Sequence, residues 1–206
     1  DGNITVQVLD QTGFDTTSVR DPGATPITIT NTTGSTVTLN GEIQNPFGTT
    51  TITNLGGNIL ATGSTLITTD GLVLAADQGQ IGAVGTALRT ESGTLQASAL
   101  GDIVVNEITG DLVVKQVATQ GNINLSAAGS ILDGNPDVGA DLSGNQISLR
   151  AQTGSIGTLA DALEIDATAA IAALNATAAQ DIVITDVADG LATGQITSIA
   201  GDVLLT

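Results

Sequence analysis

Short runs in which apolar and polar residues alternate recur along the whole chain. Clear examples are PITIT (26–30), STVTLN (35–40), INLSA (123–127), ISLRA (147–151) and DIVITD (181–186). A period of two is typical of β-strands with one buried face, and the frequent Thr, Val and Ile favour the same structure. The pattern therefore predicts an all-β protein made of many short strands.

A long internal repeat is superimposed on this alternation. LVLAADQGQIGAVGTALRT (72–90) aligns with ISLRAQTGSIGTLADALEI (147–165), and LQASALGDIVVN (95–106) aligns with LNATAAQDIVIT (174–185). The two copies span about 71–126 and 147–206, and the first 40 residues follow the pattern less regularly. We interpret residues 1–206 as one domain built from repeated units.

Strand-like runs start about 22 to 30 residues apart, which is close to one solenoid coil of roughly 20–25 residues and too short for a domain. Many runs also begin with Gly followed by Asp or Asn, as in GDIVVNE (101–107) and GDVLLT (201–206). These features predict a parallel β-helix of about nine coils, in which Gly with Asp or Asn turns the corners. A two-sheet antiparallel sandwich alternates equally well, but sandwiches do not usually carry so long an internal repeat.

One Ala-rich stretch, DATAAIAALNATAAQ (166–180), favours a helix when taken alone. The repeat aligns residues from Leu174 onward with a strand of the first copy. We therefore expect a strand from Leu174 and confine any helix to about 167–173.

Composition excludes several functions. The formal net charge is −17, from 21 acidic and 4 basic residues, so the chain lacks the cations that phosphate backbones and anionic membranes attract. It also has no Cys and no His, which excludes zinc sites of the usual kind and nucleophilic triads. We expect no nucleic-acid partner, no membrane insertion and no cofactor other than, at most, calcium.

One Gly-rich loop carries the residue types that calcium prefers. LDGNPDVGADLSGN (132–145) offers side-chain oxygens from Asp133, Asn135, Asp137 and Asp141. It follows no standard calcium-binding pattern, so the loop is equally a polar insertion between coils. We take the four residues as candidate calcium ligands, and TDVADG (185–190) as a second candidate.

A polysaccharide-degrading enzyme is an alternative function, because glycoside hydrolysis needs two carboxylates about 5–9.5 Å apart. The candidate pairs are Asp161 with Glu164 or Asp166, and Asp181 with Asp186. The chain has almost no aromatic or basic residues to line a sugar cleft, so we expect no enzyme activity.

Several segments resemble the repeats of filamentous-haemagglutinin-like proteins. They are GEIQNPFGTTTITNLGGNIL (41–60), GSILDGN (129–135) and DLSGNQISLRAQTGSIGT (141–158). Those proteins are very large secreted bacterial surface proteins, and the resemblance covers most of residues 41–206. It implies a right-handed β-helix that forms a rigid shaft without catalytic residues.

These observations lead to one main hypothesis and one alternative. The chain is expected to be a structural stalk or adhesin segment of a larger secreted or cell-surface bacterial protein. Alternatively, it is a glycan- or calcium-binding module of such a protein. Contact with a glycan or a host cell surface and weak end-to-end self-association are the partner expectations, the latter because excised coils leave strand edges open.

Overall fold

The computed structural model describes the backbone of residues 4–8 and 14–20, and residues 25–188 and 190–206 in full. The described residues form 18 strands in one continuous sheet and contain no helix. Every pairing between named strands is parallel, and the chain winds through about eight turns. The predicted all-β parallel solenoid is thus confirmed.

The strands of the first half are β1 (Ile4–Val8), β2 (Phe14–Arg20), β3 (Ile27–Asn31), β4 (Val37–Asn54), β5 (Ile59–Ala61), β6 (Leu66–Ala76), β7 (Leu88–Ala99), β8 (Ile103–Glu107) and β9 (Leu112–Thr119). Those of the second half are β10 (Ile123–Ala127), β11 (Ile131–Asp133), β12 (Leu142–Gly144), β13 (Ile147–Ala151), β14 (Leu163–Ala167), β15 (Leu174–Ala178), β16 (Ile182–Asp186), β17 (Thr193–Ser198) and β18 (Val203–Leu205). The backbone of β1 and β2 pairs with β3 and β4, so the stacking extends into the first 40 residues.

The core is a set of columns in which equivalent aliphatic residues of successive coils lie on one another. One such column contains Val37, Ile59, Ile81, Ile103, Ile123, Ile147 and Leu174. All of its members are buried. Because alternate residues of each strand point inward, these columns remove apolar surface from water along the whole stack. A narrow interior of this kind suits branched aliphatic side chains.

The corners of the solenoid explain the recurring Gly-Asp and Gly-Asn pairs. At one corner Asp102 Oδ1 accepts a hydrogen bond from the backbone N–H of Asn122 in the next coil, at 2.8 Å. At another, Asp181 Oδ1 accepts the N–H of Asp202, also at 2.8 Å. The short polar side chain satisfies a backbone donor that no strand pairing reaches at the turn. Each corner thereby fixes the next coil on the one before it.

The glycine before each residue that donates such a corner hydrogen bond, as Gly121 before Asn122, is needed for space. A Cβ on Gly121 would lie 2.7 Å from both the backbone nitrogen and Oδ1 of Asp102. A methyl group there would push two coils apart at the point where the corner hydrogen bond forms. In each Gly-Asp or Gly-Asn (Gly-Asx) pair, the glycine therefore leaves room for the polar side chain of the preceding coil.

The Ala-rich stretch forms a strand from Leu174, as the repeat predicts. Residues 168–173 form turns and irregular structure rather than a helix. Ala172 adopts a left-handed φ of 49° in this connection. Parallel pairing with β13 and burial of Leu174, Ala176 and Ala178 outweigh the local preference of alanine for a helix.

Equivalent residues of the two copies of the long repeat lie on different faces of the solenoid. Ile81 stacks between Ile59 and Ile103, whereas its counterpart Ile156 stacks in a separate column, between Ile131 and Ile182. The copies are therefore rotated about the axis by one face, because the repeat does not correspond to a whole number of turns.

We predict that Gly121→Ala destabilises the fold by about 1–3 kcal/mol, the usual cost of forcing extra volume into a packed site. The matched control is Gly63→Ala, because a Cβ at Gly63 meets no atom within 4 Å. Urea unfolding followed by circular dichroism measures both. Equal stability of the two variants would contradict the proposed role of the corner glycines.

Candidate metal centre

A loop that leaves the stack between β11 and β12 brings Asp133 and Asp141 together. Residues 134–140 project outward, while both ends of the loop are fastened to β9. The N–H of Gly134 donates to the Val114 carbonyl at 2.6 Å, and the N–H of Val117 donates to the Asp141 carbonyl at 2.6 Å. The two aspartates therefore lie at the base of the loop, against the solenoid wall.

Glu164 of the next coil joins them from β14. The N–H of Asp141 donates to the Glu164 carbonyl at 2.9 Å, and the N–H of Glu164 donates back to Asp141 Oδ2 at 3.1 Å. One carboxylate oxygen from each of Asp133, Asp141 and Glu164 lies within 4.8 Å of the other two. These three residues, here called the acidic centre, thus bridge two consecutive coils.

The acidic centre is shielded from water and short of hydrogen-bond donors. The Asp141 residue is 2% exposed. Asp133 Oδ2 and Glu164 Oε2 are buried atoms without a hydrogen-bond donor among the described residues. Buried carboxylates normally acquire a donor or a cation, because an unpaired charge in the interior is costly.

Burial raises the pKa of Asp141 to about 8, and the charge of Asp133 adds to this effect. Burial also raises the pKa of Asp133 and of Glu164, and the nearby carboxylate of Asp161 acts in the same direction on both. Two states relieve the repulsion: protons shared among the carboxyls, or a bound cation. Calcium is the better match among common cations, since it takes oxygen ligands in flexible geometry.

Of the four predicted calcium ligands, the structure brings only Asp133 and Asp141 together. Asn135 donates from Nδ2 to the Lys115 carbonyl at 3.0 Å. Asp137 lies exposed in the loop, where its Oδ1 accepts the N–H of Gly139 at 2.6 Å. Neither belongs to the acidic centre, because the side chains of both shape the loop instead.

Glu164 was not among the predicted metal ligands. The coil length of about 20–25 residues could have identified it, because this length places Glu164 one coil after Asp141 and so beside it in the stack. Counting ligands within a single loop missed it, since the centre is assembled between coils.

The predicted catalytic pairs fare differently. Asp161 lies close to Glu164, but Glu164 is a member of the acidic centre and Asp161 lies beside that centre. Asp181 and Asp186 stand at opposite ends of β16, roughly 16 Å apart along the strand, so they do not form a hydrolytic pair. The second calcium candidate, TDVADG (185–190), includes Asp189, which lies outside the described residues.

Comparisons with known proteins add no identity to these observations. No family model, no curated protein and no solved structure matches the chain. Within the described residues, no helix has the length and apolar character needed to cross a membrane.

We predict that stability in EDTA falls as the pH rises from about 4 to 8. The pKa of Asp141 is higher in the folded protein than its ordinary value of 3.8, so its contribution is complete below pH 4 and is lost toward pH 8. One such group changes the free energy of unfolding by up to about 1.4 kcal/mol per pH unit.

Asp141→Asn is expected to flatten this dependence, because the amide does not titrate. Denaturant unfolding at several pH values measures the slope for both proteins. An unchanged slope in the variant would show that the acidic centre does not carry the effect.

Proposed function

We propose that this chain is a non-catalytic structural segment, a stiff stalk within a larger secreted or cell-surface bacterial protein. The observation that carries the proposal is the continuity of the stack. The same columns of buried residues and the same parallel pairing run from β3 to β16.

Stiffness follows from how consecutive coils are joined. Each coil is tied to the next by parallel strand hydrogen bonds, by aliphatic contacts and by corner side chains such as Asp111, whose Oδ1 accepts the Ser130 N–H at 2.6 Å. Bending the rod would stretch many of these contacts together, whereas a hinge would require a coil without them. Such a segment separates its two ends by a fixed distance.

Two features support a non-catalytic role at the cell surface. The most perturbed carboxyl, that of Asp141, is too buried for a sugar to reach, so it is poorly placed to protonate a glycosidic bond. The sequence resemblance to filamentous-haemagglutinin-like repeats supports a secreted location. The acidic exterior would keep an extended rod soluble.

The stalk role predicts a single, narrow end-to-end distance. The chain has no native cysteine, so Thr38→Cys and Gln195→Cys can carry one spin label each. The two positions are separated by about seven strand spacings along the stack, which is a distance of roughly 33 Å. Pulsed electron–electron double resonance is expected to give a distance distribution with one narrow peak near that value.

The same labelled protein in 6 M guanidinium provides the reference for a broad distribution. A broad or two-peaked distribution under native conditions would reveal a hinge, which is incompatible with a stiff spacer.

A second function, calcium binding at the acidic centre, is favoured by its two buried oxygens without a donor. A cation held by Asp141 and Glu164 would tie two coils together and replace the protons that these carboxyls otherwise share. Because the ligands must be deprotonated, calcium would bind more tightly as the pH rises.

We predict that calcium raises the melting temperature at pH 8.5 and has a smaller effect at pH 6. Calcium at about 100 times its dissociation constant would add about 2.7 kcal/mol to the free energy of unfolding. Calorimetric melts in calcium and in EDTA measure the difference.

Glu164→Gln should abolish the calcium effect. Asp137→Asn, in the same loop but outside the acidic centre, should retain it. Coinciding melts of the wild-type protein in calcium and EDTA at pH 8.5, or an undiminished effect in Glu164→Gln, would rule out this site.

A further inference from the structure

One face of the solenoid carries no carboxylate at the outward positions of four of its strands, although the chain as a whole is strongly acidic; the nearest outward carboxylate along the neighbouring strand β7 is Glu91, two residues from Arg89. It is formed by β8, β10, β13 and β15, whose outward residues are Val104, Asn106, Asn124, Ser126, Ser148, Arg150, Asn175 and Thr177. Glu107, the acidic residue of β8, points inward and is fully buried. Together with Arg89 of β7, these residues are here called the arginine face.

A single polar column runs along this face parallel to the solenoid axis. The strand register places Arg89, Asn106, Ser126, Arg150 and Thr177 side by side in consecutive coils. The two arginines are three strand spacings apart, which is roughly 14 Å. The column therefore presents two cations at a fixed separation, with amide and hydroxyl groups between and beside them.

Neither arginine is neutralised by the protein itself. Arg89 makes one long hydrogen bond, from Nη1 to the Gly63 carbonyl at 3.4 Å. Within the part of the chain that the structure describes, the side chain of Arg150 makes no hydrogen bond, and neither arginine side chain forms an ion pair.

The head of the column is a pocket of about 400 Å³. Arg89 and Asn106 form part of its wall, and Thr62 and Thr86 line it from two projecting turns. Asn106 Oδ1 already accepts a hydrogen bond from Ser126 Oγ at 2.7 Å, which leaves its amide nitrogen available as a donor. The pocket thus combines a guanidinium, an amide and hydroxyl groups in one concave site.

We propose that the arginine face binds a linear polysaccharide whose sugars carry carboxylates. The chain of sugars lies along the solenoid axis, with one carboxylate on Arg89 in the pocket and another on Arg150. A guanidinium matches a carboxylate with two parallel hydrogen bonds, and the amides and hydroxyls between the arginines match sugar hydroxyls.

The composition of the face favours a glycan over a peptide. Val104 is its one apolar outward residue and is itself buried, so there is no pocket for an apolar side chain. The face also has no aromatic platform, and the overall charge of −17 repels polyanions at long range. Binding is therefore expected to be weak and to depend on local contacts with the two arginines.

The test uses the whole chain, labelled with ¹⁵N, and an oligogalacturonate as the probe. Titration followed by amide chemical shifts should perturb β8, β10 and β13, and a neutral glucan oligomer of the same length should not bind. Arg89→Gln and Arg150→Gln should each weaken binding about fivefold, in line with exposed charge pairs. Lys115→Gln, which removes an exposed cation on β9, is the matched control and should change nothing.

Circular dichroism melts of the variants check that each remains folded, and the double variant Arg89→Gln/Arg150→Gln gives the largest expected loss. Shift changes confined to the arginine face and lost in the double variant support the proposal. Three results would overturn it: no shifts with millimolar oligogalacturonate, equal weakening by Lys115→Gln, or equal binding of the neutral glucan. None of these outcomes depends on whether the chain acts as a stalk or binds calcium.

Discussion

The hydrogen bonding of each coil to the next is the constraint on which every other feature depends. Strand ladders satisfy the backbone along the faces, but at the corners the chain turns and the ladders end. There the side-chain oxygens of residues such as Asp102 and Asp181 accept the N–H of the next coil. Because this requires close approach of two backbones, glycine precedes the residue that donates the N–H, as Gly121 before Asn122 and Gly201 before Asp202. Strand register is thereby set again at every coil, and aliphatic residues remain aligned in their columns.

The same constraint governs where charge can lie. Several aspartates are used at corners, where they bind backbone donors, and strands β8, β10, β13 and β15 carry no outward carboxylate. The arginine face is one consequence. The acidic centre is the opposite case: a loop between β11 and β12 departs without disturbing the stack, and its base places Asp133 and Asp141 beside Glu164 of the next coil. Site chemistry in this fold arises between coils, from residues about one turn apart.

Buried carboxylates weaken the fold locally and make it responsive to protons. Glu107 is fully buried, and its Oε2 accepts hydrogen bonds from Thr90 and from both the N–H and the hydroxyl of Ser92. Burial nevertheless raises the pKa of Glu107, in the same direction as at the acidic centre. The long aliphatic stack tolerates such groups because its stability is summed over many nearly identical contacts. The solenoid therefore accommodates buried carboxylates without losing its fold.

Alternation, internal repetition and the Gly-Asx pairs were sufficient to determine the solenoid from the sequence, including the strand at Leu174, because each is a local pattern repeated at coil length. The Asp and Asn residues of the loop 132–145 separately predicted a calcium site, and the structure brings Asp133 and Asp141 of that set together. The sequence did not show that Glu164 lies beside these two residues, or that the side chains of Asn135 and Asp137 make their contacts elsewhere in the loop. It also did not show that equivalent residues of the two repeat copies lie on different faces. Those outcomes depend on the lengths of individual loops and on cross-coil register. The tertiary structure decided them, because residues in adjacent coils meet only when the whole stack has formed.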